Sequence, residues 1–270
     1  MSQAQATAVS TTPDELVLRS GQDGVTTLTL NRPAARNALS FELMSALDEA
    51  LVNAGADPST KVVILAAEGP AFCAGHDLKQ IRSQPREDVY AQLFDLCSTV
   101  MKRIVRLPKP VIAQVHATAT AAGCQLVASC DLAVASDTAR FATPGVNIGL
   151  FCSTPMVALS RNVAPKHAME MLLTGDMITA ADAHRIGLVN RVVPGDQLAD
   201  STMALAQQIA SKSPLSVAIG KEAFYRQAEM DLDEAYSYAS AVMTRNMMAD
   251  DAAEGIDAFL TKRRPTWRGT

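Results

Sequence analysis

The sequence predicts an α/β fold. Short segments of apolar and β-branched residues, bounded by glycine, proline or polar residues, recur through the first two thirds of the chain. Segments with apolar residues at helical spacing lie between them. Apolar residues make up 48% of the 270 residues, which is enough to bury a sizeable core. Such alternation of strands and helices is typical of α/β proteins.

The strand segments and the first helix follow from these patterns. Four strands are predicted, over residues 25–30, 61–66, 110–115 and 131–135. Ser40 is a good N-cap for the first helix, because a hydroxyl oxygen can accept a hydrogen bond from the first turn. Met44, Leu47 and Leu51 then share one face of that helix and are expected to be buried.

Two further helices are marked by their end signals. Pro165 suits the first turn of a helix that runs to residue 174, and Gly175 supplies its C-terminal stop. Thr179 is a second N-cap, and Asp182 three residues later approximates a capping box. Gly187 is the stop signal of that helix.

No strand pattern returns after about residue 194. Four consecutive helices are predicted there, over residues 197–212, 214–230, 232–248 and 250–262. We therefore expect three regions: a flexible N-terminus over residues 1–15, an α/β core over residues 16–195, and a helical region over residues 196–270.

Composition excludes several classes of function. The net charge of −4, without a basic stripe, argues against a nucleic-acid ligand. Five cysteines without a C-x-x-C pair and four scattered histidines predict neither a disulfide framework nor a metal site. No run of about 18 apolar residues is present to span a membrane, and the N-terminus has no leader pattern. The expected location is cytoplasmic.

Two motifs carry the functional signal. A-F-C-A-G-H-D-L-K over residues 71–79 and A-A-G-C-Q-L-V-A-S-C-D-L-A-V-A over residues 121–135 each place a small-residue turn ahead of a helix-like run. Together they resemble the enoyl-CoA hydratase/isomerase (crotonase) family. The resemblance continues in four further segments, residues 27–40, 142–150, 172–194 and 258–265. Within the family, residues 119–131 and 141–155 look most like the branch called enoyl-CoA hydratase domain-containing protein 3.

The resemblance implies a fold, a ligand and a set of contacts. The fold would be a spiral of ββα units with C-terminal helices that build a homotrimer or a dimer of trimers. The ligand would be an acyl-CoA thioester, with coenzyme A as part of the substrate and no separate cofactor. Its carbonyl oxygen would lie in an oxyanion hole formed by the backbone N–H groups of His76 and Ala122. Polarising a thioester requires hydrogen-bond donors that are fixed in advance, and a helix N-terminus adds a favourable dipole.

The resemblance also implies which residues contact coenzyme A. Basic side chains suit its phosphates. The candidates are Arg36, Ala74, Lys79 and Lys262, the last with Arg263 and Arg264, reaching in from a neighbouring segment or subunit.

The two glutamates that the family uses for hydration are absent. Their positions are taken by Gln125 and Gly145, and neither residue can transfer a proton near neutral pH. General acid–base help is worth about 10²–10⁴-fold per group, so efficient hydratase activity is not expected. Ser153 stands where some relatives use an aspartate, but serine is a poor base. His76 offers an imidazole whose ordinary pKa would suit proton transfer near neutrality.

Two classes of function remain open. We favour an enzyme of the lyase or isomerase type with an atypical active site, because a mere scaffold has little need of both oxyanion motifs. The alternatives are a non-catalytic sensor or scaffold for CoA thioesters, and a decarboxylase-like member that uses His76. Against the last, such decarboxylases place a tyrosine where this chain has Phe151, Cys152 and Ser153.

Overall fold

The structure is a computed structural model that describes residues 15–270, so the predicted flexible N-terminus lies almost wholly outside the described residues. Ten strands are found in the described part: β1 (Val17–Gln22), β2 (Val25–Leu30), β3 (Val62–Ala67), β4 (Ala71–Cys73), β5 (Val111–Val115), β6 (Thr118–Thr120), β7 (Leu132–Ser136), β8 (Arg140–Ala142), β9 (Ile178–Thr179) and β10 (Arg191–Val193). The helices are α1 (Phe41–Ala56), α2 (Leu78–Ser83), α3 (Glu87–Arg106), α4 (Ala122–Ser129), α5 (Ser153–Leu159), α6 (Pro165–Thr174), α7 (Ala180–Arg185), α8 (Leu198–Ala210), α9 (Pro214–Gln227), α10 (Leu232–Met247) and α11 (Asp250–Leu260).

The strands form two sheets. The larger sheet has the order β1-β2-β3-β5-β7-β10 and is parallel apart from the antiparallel pair β1–β2. The smaller sheet has the order β4-β6-β8-β9, with β9 antiparallel. Three times in succession, a strand of the larger sheet is followed by a short strand of the smaller sheet and then by helix. This repeat confirms the α/β fold and the expected spiral of ββα units.

The larger sheet is buried on both faces. Val63 and Leu65 point to a core shared with the helices α1, α3 and α4, whereas Val62, Ile64 and Ala66 point to a second core beneath α8. Alternate residues of a strand point to opposite faces, so a strand covered on both sides is apolar throughout. That is why these strands were predicted from their sequence to within one residue.

The predicted helix caps are confirmed. The Ser40 side chain accepts a hydrogen bond from the Leu43 N–H at 3.3 Å, and α1 buries the expected apolar face. Gly175 ends α6 with a φ of 67°, a left-handed conformation that favours glycine. The Thr179 hydroxyl accepts from the Asp182 N–H at 3.0 Å and donates to its carboxylate at 2.7 Å.

Four helices follow the last strand, and their ends agree with the predicted ones to within three residues. The helices α9, α10 and α11 pack mainly on one another and carry exposed apolar side chains. These are Phe224, Leu232, Tyr236, Met243, Met247, Met248, Ile256, Phe259 and Leu260. Among the described helices, none combines the length and the apolar composition needed to cross a membrane.

Candidate functional site

The two sequence motifs meet in space. Gly75, in the first motif, has a φ of 91° and lies against the turn that begins the second motif. A β-carbon on Gly75 would lie 2.8 Å from the Ala121 β-carbon and 3.4 Å from the Ala122 nitrogen. Leu39 fixes the first turn from the other side, since its N–H donates to the Gly75 carbonyl at 2.7 Å. Only glycine fits at this junction.

Both predicted donors are left free by this arrangement. The N–H groups of His76 and Ala122 find no acceptor among residues 15–270. Ala122 is the first residue of α4, so its N–H has no partner within the helix and lies at the positive end of the helix dipole. Two adjacent turns therefore each present an unpaired backbone N–H donor, and preorganised donors of this kind can stabilise an oxyanion.

The helix α3 covers the side chains of both motifs. The Phe94 ring makes an edge-on contact with the His76 imidazole, with ring centroids 5.6 Å apart. Three residues further, the Cys97 thiol donates to Gln125 Oε1 at 3.9 Å. Residues three apart share one face of a helix, so His76 and Gln125 lie beneath the same face of α3. Ala122 and Gln125 are likewise three apart on α4. The structure thus brings three predicted site residues together.

The His76 imidazole is in an unusual state. Its Nε2 atom is shielded from solvent and has no hydrogen-bond partner within the described part of the chain. Burial lowers the pKa of His76 from 6.5 to about 4. The imidazole is therefore neutral at pH 7, and the expectation that its pKa suits proton transfer near neutrality is wrong. It can still offer a neutral hydrogen bond to a ligand.

Position 145, where the resemblance implies a second catalytic carboxylate, has no room for a side chain. Gly145 is buried, and a β-carbon on it would lie 2.6 Å from the Leu150 carbonyl oxygen. The same β-carbon would lie 2.8 Å from Cys152 Sγ, to which the Gly145 N–H donates at 3.3 Å. Ser153 is exposed at the start of α5, and its hydroxyl donates to the Phe151 carbonyl at 3.4 Å. The helix α5 packs on α4 of the second motif, and Cys152, the residue before Ser153, lies near Cys124.

The cysteines in and near the motifs lack the low thiol pKa that a nucleophile needs. Burial raises the pKa of Cys73, Cys97 and Cys124 to about 12 each, and it also raises the pKa of Cys152. A thiol in this state stays protonated at neutral pH and behaves as a small apolar group. Nowhere in residues 15–270 do three His, Cys, Asp or Glu side chains come together as a metal site.

Two of the predicted CoA-binding cations flank the first motif. The Arg36 carbonyl accepts from the Ala74 N–H at 3.1 Å, which ties the two residues together. The Arg36 and Lys79 side chains are exposed, and neither has an ion-pair partner in the described part of the chain. Lys262, by contrast, follows α11, which packs on α9 and α10. Lys262 therefore lies with the C-terminal helices rather than with the two motif turns.

Three residues of the site escaped the sequence analysis. Phe94 and Cys97 belong to the amphipathic helix α3, whose pattern predicts a buried face that includes Cys97 but not which residues that face covers. Phe94 lies outside that face and is 40% exposed, so no burial signal marks it. Asn37 is buried with a φ of 52°, and its side chain bonds to the Arg32 N–H at 2.8 Å and to the Ala71 carbonyl at 2.9 Å. It thereby fixes the turn that holds Arg36 against the first motif. Asparagine adopts a positive φ more readily than most residues, which was the available signal.

Known proteins are similar to this chain over most of its length. The family profile described as Enoyl-CoA hydratase/isomerase matches residues 20–270. The mouse protein "Enoyl-CoA hydratase domain-containing protein 3, mitochondrial" is 50% identical over 246 residues, 91% of this chain and 82% of the relative. The Escherichia coli 2,3-dehydroadipyl-CoA hydratase is 36% identical over 256 residues, 94% of this chain and 99% of the relative.

Solved structures show the same relationship. An enoyl-CoA hydratase from Mycobacterium smegmatis superposes with a TM-score of 0.91 at 55% identity, covering 93% of this chain and 98% of the other. The human enoyl-CoA hydratase domain-containing protein 3 gives a TM-score of 0.91 at 48% identity, covering 93% and 100%. At these identities the similarity extends beyond the fold to the sequence itself.

The expectation of a cytoplasmic location is contradicted by these relatives. The mouse, rat and human proteins are all named as mitochondrial. The expectation depended on cysteine usage and on the N-terminal residues. Cysteine usage reports a reducing environment rather than a particular compartment. Residues 1–14, where a leader pattern was sought, lie outside the described residues.

Proposed function

The chain belongs to the enoyl-CoA hydratase/isomerase family, in the branch of enoyl-CoA hydratase domain-containing protein 3, and on that premise we propose that it binds an acyl-CoA thioester. The thioester carbonyl oxygen accepts hydrogen bonds from the His76 and Ala122 N–H groups. The observation that carries this proposal is the contact of Gly75 with the turn at Ala121, which leaves both donors unpaired at adjacent positions. Loss of one such donor typically costs about 2.7–4 kcal/mol.

We place the CoA phosphates near the exposed cations of the first motif. Arg36 and Lys79 are free of ion pairs among the described residues, whereas Arg32 is engaged by Asp77 at 2.7 Å. Asp77 also caps α2 by accepting from the Lys79 N–H at 3.0 Å, so the Lys79 backbone is fixed while its side chain extends into solvent. Two free cations beside the oxyanion turns suit a polyanionic ligand.

We propose that Lys262 completes this site from a neighbouring subunit. It follows α11, which packs on α9 and α10. The exposed apolar side chains of these three helices are typical of a subunit interface. A homotrimer or a dimer of trimers, as the family resemblance implies, would cover these side chains. Within one chain, Lys262 is placed away from the first motif.

The reaction differs from efficient hydration. Gln125 provides an amide and Gly145 provides no side chain, so no carboxylate stands at either catalytic position. The polar groups gathered beneath α3, His76 and Gln125, are neutral at pH 7. We favour weak or atypical turnover of the polarised thioester. Neutrality of the site also supports the second candidate, a CoA-thioester sensor that binds without turnover, and it weakens the decarboxylase-like alternative that depends on His76 as an acid or base.

Calorimetry tests the binding proposal. The wild-type protein is titrated with CoA, acetyl-CoA, crotonyl-CoA and malonyl-CoA, and we expect at least one thioester to bind more tightly than CoA. Lys79→Ala and Arg36→Ala should weaken binding of both CoA and thioesters, increasingly so at low salt, because each removes a phosphate contact. Lys166→Ala, an exposed cation at the start of α6, is the charge-matched control and should have no effect. Absence of binding by every thioester at millimolar concentration would refute the proposal.

A turnover assay separates the two candidates. The protein is incubated with each thioester that binds, and the products are identified by mass spectrometry. Conversion of any of them supports an enzyme, whereas tight binding with full recovery of every ligand supports a sensor.

A further inference from the structure

Ala121 has a backbone conformation that alanine rarely adopts. Its φ is 51° and its ψ is −119°. Arg36 also has a φ of 51°, but its ψ of 38° puts it in the ordinary left-handed region. The φ and ψ of Ala121 are instead those of the first central residue of a type II′ turn. Glycine dominates that position, because a residue with a β-carbon is strained there. Strain of this kind persists only where the surroundings impose it, and it concentrates at functional sites.

The surroundings of Ala121 do impose it. Its N–H donates to the carbonyl of Ala142, the last residue of β8, at 2.9 Å. Its carbonyl accepts from the Gln125 N–H in the first turn of α4 at 3.0 Å. These two bonds fix the peptide groups on both sides of the residue. The conformation follows from joining a strand of the smaller sheet directly to a helix.

The Ala121 methyl group lies between the two motif turns. Its carbon is 2.8 Å from the point where a β-carbon on Gly75 would stand, so the methyl packs on the Gly75 backbone. One free donor is the N–H group of His76, the residue after Gly75. The other is the N–H group of Ala122, the residue after Ala121. The methyl is therefore the spacer between the peptide groups that carry the two donors.

We propose that Ala121 is a positioning residue of the oxyanion hole, whose methyl sets the separation of the His76 and Ala122 N–H groups. This inference rests on the proposed function, since it assumes that these groups bind a thioester oxygen. With glycine at position 121, the strain would be relieved, but two glycines would face each other and the turns could approach or slide. Donors must be held to within about 0.5 Å of their productive positions to stabilise an oxyanion. A misplacement of about 1 Å can cost about 100-fold in rate.

The test compares Ala121→Gly with Ala121→Ser, which keeps a β-carbon at the same place. Three measurements are made on the full chain: the melting temperature, the affinities for acetyl-CoA and CoA by calorimetry, and the ¹³C chemical shift of bound [1-¹³C]acetyl-CoA. The carbonyl shift moves downfield when donors polarise the C=O bond, so it reports on the hole directly. A change that is merely structural would not alter it selectively.

We expect Ala121→Gly to melt about 2–4 °C higher than wild type, as relief of modest strain gives in a protein of this size. It should bind acetyl-CoA at least fivefold more weakly, leave CoA affinity unchanged, and move the carbonyl signal back towards that of free acetyl-CoA. Ala121→Ser should retain the wild-type signal and affinity.

The proposal is overturned if Ala121→Gly keeps the wild-type carbonyl shift and affinity, because the methyl group then does not set the position of the donors. It is equally overturned if Ala121→Ser loses the shift as Ala121→Gly does, or if CoA affinity falls in parallel with that of acetyl-CoA. These outcomes leave the proposed function standing. Failure of the wild-type protein to bind any thioester removes the proposed function, and this inference with it.

Discussion

Cys152 Sγ lies 2.8 Å from the point where a β-carbon on Gly145 would stand, and it accepts a hydrogen bond from the Gly145 N–H at 3.3 Å. The Leu150 carbonyl oxygen lies still closer to that point, at 2.6 Å. The loop from Gly145 to Cys152 therefore folds back over the space that a side chain at position 145 would occupy. The family resemblance implies a second catalytic carboxylate at this position, and here the backbone leaves no room for a side chain.

The first prediction follows from this closure. Gly145→Ala should lower the free energy of unfolding by about 1–3 kcal/mol, because the added methyl meets a backbone oxygen that cannot rotate away. Chemical denaturation measures the change. Gly220→Ala in α9 is the matched control, since a β-carbon there meets nothing within 4 Å. That control should gain about 0.5–1 kcal/mol from helix propensity. Equal stability of Gly145→Ala and wild type would show that the loop moves freely.

The second prediction concerns hydration. Wild-type turnover of crotonyl-CoA should fall below the ordinary enzyme range of about 1–10³ s⁻¹, because the site has no carboxylate to activate water. Gln125→Glu supplies one carboxyl group, but it is buried against the Cys97 thiol, and burial should hold it protonated. We therefore expect the variant to remain within tenfold of wild type at pH 7. A spectrophotometric assay at the enoyl absorption band decides this, and a wild-type rate within the ordinary range would contradict the prediction.

The sequence predicted several of the longer elements because their signals are local. The cap at Ser40 and the stop at Gly175 depend on neighbouring residues, and the strand around Ile64 is apolar because both of its faces are covered. The strands β4, β6, β8, β9 and β10 were missed, since two or three residues are too few to show a period. The six-residue strand β1 was also missed, because most of its side chains are exposed and few of them are apolar. The position of the His76 and Ala122 donors was inferred from family resemblance. The contact of Gly75 with the turn at Ala121 could not be predicted from a sequence in which the two lie far apart. The closure at Gly145 depends on a backbone oxygen and leaves no pattern in the sequence.

The third prediction is a pH effect of His76. Its folded pKa of about 4 lies below the ordinary 6.5, so the unfolded chain takes up the proton first. Stability attributable to this residue is therefore complete above about pH 6.5 and is lost as the pH falls towards 4. Between pH 7.5 and pH 5 the loss should be about 2 kcal/mol. His76→Gln, which does not titrate, should escape it.

The measurement is urea denaturation of wild type and His76→Gln at both pH values. The variant should gain about 2 kcal/mol relative to wild type on going from pH 7.5 to pH 5. A difference between the two proteins that stays constant with pH would show that the imidazole is accessible to protons in the folded state.

The fourth prediction concerns the attachment of α9 to the larger sheet. Lys221 is nearly buried, and its ammonium group donates to Asp131 at 2.7 Å and to the carbonyls of Ile104 and Lys109 at 2.9 and 3.0 Å. Lys221→Met should cost about 3–5 kcal/mol of stability, because it leaves a buried carboxylate without its partner. Adding Asp131→Asn should recover part of that loss.

A surface ion pair on the same helix provides the control. Arg226 and Glu222 are 3.0 Å apart, and both side chains are more than half exposed. Arg226→Ala should therefore cost no more than about 1 kcal/mol. Comparable losses for Lys221→Met and Arg226→Ala would mean that Lys221 does not anchor the helix.

The fifth prediction concerns Thr143, which lies directly before Pro144 at the end of β8. Thr143 is fully buried, and its Oγ1 has no hydrogen-bond partner among residues 15–270. A buried hydroxyl without a partner destabilises the folded state, so Thr143→Val, which keeps the shape, should raise the free energy of unfolding by about 1 kcal/mol. Thr143→Ser keeps the hydroxyl and removes the methyl, and should instead be destabilised. Denaturant titration of the three proteins distinguishes these outcomes. If Thr143→Val proves less stable than wild type, the hydroxyl is satisfied by a buried water molecule, which would then stand beside the strand whose Ala142 carbonyl holds the Ala121 turn.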